Sequence, residues 1–306
     1  NFTDDASIVK QLKDSGALIL GKTNLSEWAN YFCFVCPNGY SAMGGQTLNP
    51  YGRKILDTGG SSSGSGVSTT SNLAAASLGS ETSGSILSPS SANSVVGMKP
   101  TIGNVSRTGI VPISSTLDTA GPMTKFVIDN ILIYNAINDF DPLDEYSVEN
   151  YDIRIEEVVD NNLEEYTIGY YKSFYERDSL YKNAIDFLIE EGVKLQVIDA
   201  PQIRLEGFAK ILDEDMRYDL RSYLFFYGNK NLKVEDISTI IKYNEMDSIE
   251  RAPYGQGIFK NIIQDTMSIN DFEDLRFELM NKGNEFFDIP MDKYNLDAVL
   301  SINNYH

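Results

Sequence analysis

Histidine is almost missing from this 306-residue chain: its one copy, His306, is the last residue. A Ser-His-Asp triad, a Cys-His dyad and a multi-histidine metal site all need imidazole inside the fold, so the sequence argues against each. Cysteine is nearly as scarce, with only Cys33 and Cys36 in the stretch YFCFVCPNG. A structural zinc site wants four ligands, and neither a second cysteine pair nor a histidine pair exists to complete one, so no metal is expected. A thioredoxin-like motif belongs in a much smaller βαβ unit, and the two residues are expected to be plain thiols in a loop with aromatic neighbours. Scarce cysteine and the lack of a leader pattern point to a reducing cytoplasm. No apolar run approaches the ~18 residues of a membrane span. Positive charge is short as well: 25 Lys+Arg face 44 Asp+Glu, a net of −19, which argues against a phosphate-backbone partner such as nucleic acid.

What is present reads as a folded chain. Hydrophobic residues at 42% and charged residues at 23% suffice for a sizeable core, and the length suits two domains or one large α/β domain. Charge divides the chain in two. Residues 1–137 hold 8 acids and 8 bases, whereas residues 138–306 hold 36 acids and 17 bases. The acids of the second part are scattered along amphipathic stretches such as Ile185–Leu195 and Asp271–Met280, as on solvated helix faces. It is expected to be the acidic remainder of the same domain rather than an independent one. Thr3 or Asp4 can cap a helix carrying Ile8, Val9 and Leu12 and ending near Gly16. Ala17–Leu20, a short apolar run between glycines, predicts a buried strand. Strands are also predicted at Thr167–Tyr171, Val193–Ile198 and Asp297–Ile302, separated by helical patterns around 178–191, 205–226 and 270–282. Such alternation favours an α/β fold, a mixed and mostly buried sheet sandwiched by helices.

Between Thr58 and Val95 the composition changes to 14 serines, 6 glycines and a single charge, Glu81. A solvated Ser/Gly linker would not carry the apolar insertions Leu73, Leu78, Ile86, Leu87 and Val95. Small uncharged residues suit an interior where backbones approach closely and amides face a ligand. Two stretches offer nucleophilic serines, Gly59-Gly60-Ser61-Ser62-Ser63-Gly64 and Thr82-Ser83-Gly84-Ser85. Serine needs a base and a place for oxyanion charge, and the second stretch offers four successive backbone N–H groups. Without histidine the base is a carboxylate, a tyrosine or a lysine of depressed pKa, and a second serine could relay the proton.

The stretches GGSSSGSG (59–66), GSETSGSI (79–86) and VGMKPTIGNVSRTGIVPISSTLDTAGPMTK (96–125) resemble the amidase signature family. The likeness runs back through DSGALILGKTNLSEWA (14–29) and NGYSAMGGQTLNPYG (38–52). It implies a cofactor-free hydrolase of amide bonds that uses a Ser-cisSer-Lys triad. Ser85 would be the nucleophile, and Ser61, 24 residues earlier and preceded by a cis bond from Gly60, the bridging serine. The amides of Thr82, Ser83, Gly84 and Ser85 would form the oxyanion hole, with Ser62 a minor contributor. The family's lysine lies in a motif that would precede Asn1, and a further pocket wall would follow His306, so the sequence is expected to be an internal portion of a longer protein. Lys22 and Lys99 look structural rather than basic catalysts. Where the family often has arginine after Gly-Ser-Ile, this chain has Leu87, which with GYSAMGGQT resembles the peptide-amidase branch. A small-molecule or peptide amide is the implied substrate, and homo-oligomers are left open. The alternatives are the glutaminase subunit of a tRNA-dependent amidotransferase and a non-catalytic amidase-like binding protein.

Overall fold

Ile8 and Leu12, one turn apart, are buried on the same face of helix α1 (Ser7–Asp14). The computed structural model describes residues 4–159 and 162–303, so Thr3 and His306 lie outside the described residues. Asp4 does not cap α1. The helix starts three residues later because Ser7 N–H donates to the Thr108 carbonyl at 3.1 Å, a tertiary contact that outweighs the local cap signal. The apolar run at 17–20 is also corrected: it joins no described strand, and Leu18 and Leu20 are 88% and 76% exposed. A strand needs a hydrogen-bonded neighbour as well as apolar side chains, and no described segment pairs with this one.

The chain divides into two compact units, one of residues 1–153 and 212–266, the other of 154–211 and 267–306. In the first unit, helix α2 (Ser63–Thr70) leads to strand β1 (Ala76–Glu81), followed by the short helix α3 (Leu87–Ala92) and strand β2 (Val96–Gly97). Strand β3 (Thr119–Thr124) pairs antiparallel with both strands, matching Glu81 to Thr119 and Val96 to Thr124. All six β3 residues are buried. Helix α4 (Val127–Asn135) follows, and Asn130 at its buried face donates to the Val96 and Pro122 carbonyls. The serine-rich segment is thus largely packed interior rather than linker: Ser61, Ser63 and Thr69 are fully buried, whereas Leu73, in the turn after α2, is exposed.

The same unit takes in Leu212–Tyr227 of helix α5 (Phe208–Tyr227), with helices α6 (Ile237–Glu245) and α7 (Gly257–Gln264). Their apolar faces meet Phe32 and Cys33 in one core. Phe259 is fully buried at its centre, with edge-on rings at 5.0 Å (Phe32) and 5.2 Å (Trp28). Phe259→Ala is therefore expected to cost about 3–5 kcal/mol, read as a lowered urea midpoint with unchanged slope. Cys33 and Cys36 are not free thiols: the loop between Tyr31 and Pro37 turns back until their Cα atoms are 5.5 Å apart, and a disulfide joins them.

In the second unit, strands Thr167–Tyr171, Lys194–Ile198 and Ala298–Leu300 form a parallel sheet with the first in the middle. Tyr171, Ile198 and Leu296 make its core. Helices Ser179–Glu190 and Ile269–Tyr294 belong to this unit, the latter extending well beyond residue 282 with Pro290 inside it. The molecule is α/β as the alternation predicts, with its antiparallel and parallel strands in separate sheets. Among the described residues no helix is long and apolar enough to cross a membrane.

Candidate active site

Strand β1 ends at Glu81, and the chain then turns through Thr82, Ser83, Gly84 and Ser85 before entering α3. Gly84 has φ +84°, a left-handed conformation that favours glycine. Glu81 is buried, and its Oε2 accepts from Ile86 N–H at 2.8 Å and Leu87 N–H at 3.0 Å. That carboxylate closes the turn from behind. The other end is held by Thr82, whose hydroxyl donates to Asp118 Oδ1 at 2.5 Å. Between these two anchors, no hydrogen bond from the amides of residues 82–85 to a protein acceptor is found among the described residues.

Ser85 is joined through backbone to Ser62, the residue after Ser61. The N–H of Ser62 donates to the Ser85 carbonyl at 3.1 Å, and the Ser61 carbonyl accepts from Ser26 N–H at 3.0 Å. The Gly60–Ser61 peptide bond is cis. Ser61 is fully buried, and its Oγ has no hydrogen-bond partner among the described residues. Buried hydroxyls are normally satisfied, so this one is marked out. Ser62 differs, because its hydroxyl donates to the Ser80 carbonyl and accepts from Ser80 N–H, both at 3.1 Å, which ties it to β1. Ser63 is likewise engaged, donating to the Gly59 carbonyl at 2.6 Å.

Gly60 is enclosed by side chains. A Cβ there would come within 2.4 Å of Asn38 Oδ1, 2.8 Å of Asn30 Nδ2 and 2.9 Å of Ser26 Oγ. The GKTN segment closes a second side: Asn24 donates to the Gly39 and Gly45 carbonyls, and its own carbonyl accepts from Gly64 N–H. Lys22 and Lys99 are both exposed, and Lys99 Nζ donates to the Pro100 carbonyl. Neither makes a hydrogen bond to Ser61 or Ser85.

Sequence reasoning missed Asp118, Glu81, Ser26, Asn30 and Asn38 as parts of this region. Glu81 carried a signal, as the lone charge in 38 otherwise uncharged residues from Thr58 to Val95. Asp118 is half-buried, and its desolvation raises its carboxyl pKa above the ordinary range; hydrogen bonds from Thr82, Ser114 and Ile113, with nearby Arg107, oppose the rise. Among the described residues no cluster of His, Cys, Asp and Glu could hold a metal ion.

Comparison with known proteins matches this arrangement to a family. The family model described as Amidase matches residues 1–268. An amidase family protein from Bacillus anthracis superposes with a TM-score of 0.92 at 35% identity, covering 100% of this chain and 62% of that one. The native peptide amidase from Stenotrophomonas maltophilia superposes with a TM-score of 0.86 at 31% identity, covering 97% and 63%. A probable amidase of Arabidopsis thaliana is 55% identical over 141 residues, 46% of this chain and 27% of that protein. The chain thus spans about three-fifths of the length of these solved relatives. Matched by the family model over most of its residues and superposed along its whole length on a solved relative, the chain belongs to the amidase family.

Proposed function

We propose that the protein hydrolyses linear amide bonds through an acyl-enzyme on Ser85. The observation that carries this reading is the row of amides at 82–85, which runs from an anchored Thr82 to Ser85 and is directed to no protein acceptor among the described residues. In the proposed reaction Ser85 Oγ attacks the carbonyl carbon, and its proton passes to Ser61 Oγ as the proton of Ser61 moves to the base. The carbonyl π electrons become an oxyanion held by the amides of Thr82, Ser83, Gly84 and Ser85. Collapse breaks the C–N bond and the leaving amine takes a proton back through Ser61. Water then hydrolyses the Ser85 ester by the same route in reverse. In this reading the base is a lysine, the third member of the triad that the resemblance implies. The buried and unpartnered Ser61 Oγ supports such a relay, and the self-contained hydrogen bonding of Ser62 supports a bracing role for it instead.

The likeness to a peptide amidase supports a small-molecule or peptide amide as substrate. The net charge of −19 supports a reaction without nucleic acid. A cytoplasmic setting rests on the scarcity of cysteine, and the Cys33–Cys36 disulfide weighs against it. One relative favours a second reading: a glutamyl-tRNA(Gln) amidotransferase subunit from Neisseria gonorrhoeae is 34% identical over 210 residues, 67% of this chain and 42% of that protein. Ammonia release from glutamine that depends on partner proteins would select it. The leading reading predicts that a fluorophosphonate labels the full-length protein at Ser85 with loss of fluoride, as read by intact mass and peptide mapping. Label on Ser61 or Ser62 with Ser85 unmodified would overturn it.

A further inference from the structure

The turn at residues 113–116 points four successive amides at carboxylates. Ile113 and Ser114 N–H donate to Asp118 Oδ2 at 2.8 and 2.9 Å, Ser115 N–H donates to Asp219 Oδ2 at 2.6 Å, and Thr116 N–H makes a longer contact of 3.4 Å to Asp215 Oδ2. The Ser114 hydroxyl also donates to Asp215. Asp215 and Asp219 stand one turn apart on α5, about a hundred residues further along the chain. Three like charges around one turn are costly, and Asp215 is only 3% exposed. A helix that needed only to pack here could use apolar residues at less cost. What the two carboxylates of α5 hold is the turn whose amides also hold Asp118, the residue that anchors Thr82.

We propose that Asp219 and Asp215 are positioning residues for the oxyanion run: they hold the 113–116 turn, the turn holds Asp118, and Asp118 holds Thr82. This rests on the reading of residues 82–85 as the oxyanion site. Charge-assisted hydrogen bonds are roughly twice as strong as neutral ones, so the chain is tightest with its carboxylates ionised. Asp219 lines a cavity of about 370 Å³. Facing it there are Tyr223 and Tyr227 from its own helix, Asp118 and Arg107 from the loops before β3, and Asp144 and Glu145 from the segment after α4. Arg107 pairs with Asp144, to which its Nε and Nη2 both donate, and its Nη1 donates to the Ser115 carbonyl of the same turn. Burial, with Asp215 and Asp118 nearby, raises the Asp219 carboxyl to about 6, so its charge changes in an accessible range.

The test uses the full-length protein with Asp219→Asn and the charge-keeping Asp219→Glu. Backbone hydrogen exchange is read for peptides covering 79–87 and 113–118, beside steady-state kinetics on a simple aryl amide. In Asp219→Asn, exchange at the bonded amides of 86–87, which close the serine turn, and of 113–114 is expected to rise about tenfold relative to residues 76–80. The rate constant kcat should fall about tenfold with KM within twofold, and the decline of kcat below about pH 6 should vanish, since the titrating group is gone. Asp219→Glu should restore much of both. Should the Asn variant fail to fold, the wild-type protein moved from pH 7.5 to pH 5 protonates Asp219 without substitution, and the same peptides are compared against 76–80. Unchanged exchange at 86–87 and 113–114 in either experiment overturns the proposal. Loosened exchange in a protein that hydrolyses no amide upholds the mechanical link and refutes instead the reading of Ser85 as a nucleophile.

Discussion

Ser85→Ala is expected to abolish turnover of amide substrates in the full-length protein, a loss on the order of 10⁶ in kcat if the serine acts as a unit with its relay and base. Among the described residues the Ser85 hydroxyl holds no hydrogen bond; the residue's link to the Ser61 segment runs through its carbonyl. Truncation to alanine therefore removes no internal contact that holds the fold, and the thermal midpoint should stay within about a degree, as for substitutions that touch no named stabilising feature. The oxyanion donors survive, so a remnant of catalysis above the uncatalysed rate is expected, and binding of an uncleaved amide should be nearly unchanged. Turnover within tenfold of wild type would remove Ser85 from the role.

Ser61→Ala carries the opposite combination of effects. Its Oγ is buried and unpartnered, so in this chain alanine relieves a desolvation cost, and stability should hold or rise by about 1 kcal/mol. Activity of the full-length protein should nevertheless fall about 10²–10⁴, the range for losing positioned proton transfer. The denaturant midpoint of this chain and kcat of the full-length protein, each against its own wild type, check the two signs. A variant that is less stable and fully active would assign Ser61 to structure.

The site was legible in the sequence where chemistry is written in contiguous residues. Gly59–Gly66 and Gly79–Ile86 carry their backbone geometry with them, because glycine and serine suit close approach and few side chains compete. Composition also revealed the burial of this stretch, since a solvated segment would not alternate serine with Leu78, Ile86 and Leu87. The amphipathic helices of the second unit followed from periodicity, as did its strands expected at 167–171, 193–198 and 297–302, the last two of which are shorter in the structure, at 194–198 and 298–300. Pairing was not legible. Ala17–Leu20 has the apolar run of a strand but no described neighbour, and Asp118, Asp215 and Asp219 meet only because α5 returns to a turn about a hundred residues earlier. Nothing local distinguishes those aspartates from the many that solvate helix faces. The Cys33–Cys36 bond escaped for a similar reason, since it depends on how sharply the intervening loop turns.

The raised Asp219 carboxyl also divides the pH at which this molecule is most robust from the pH at which its turn is best held. A carboxyl at about 6 in the folded state, against an ordinary 3.8, binds its proton more tightly folded than unfolded. Folding is then favoured as pH falls from about 6 toward 4, by up to about 3 kcal/mol from this one group, and that gain is lost again as pH rises through 6. Asp144 runs the other way: paired with Arg107, its carboxyl lies below the ordinary value, so its contribution is present above that value and fails only in stronger acid. The Asp219 contribution changes between about 4 and 6 and the Asp144 contribution only below that, so in mild acid both are present. Mild acid should therefore give a protein that resists heat better while its serine turn is held more loosely, and storage and assay conditions for it part company at about pH 6.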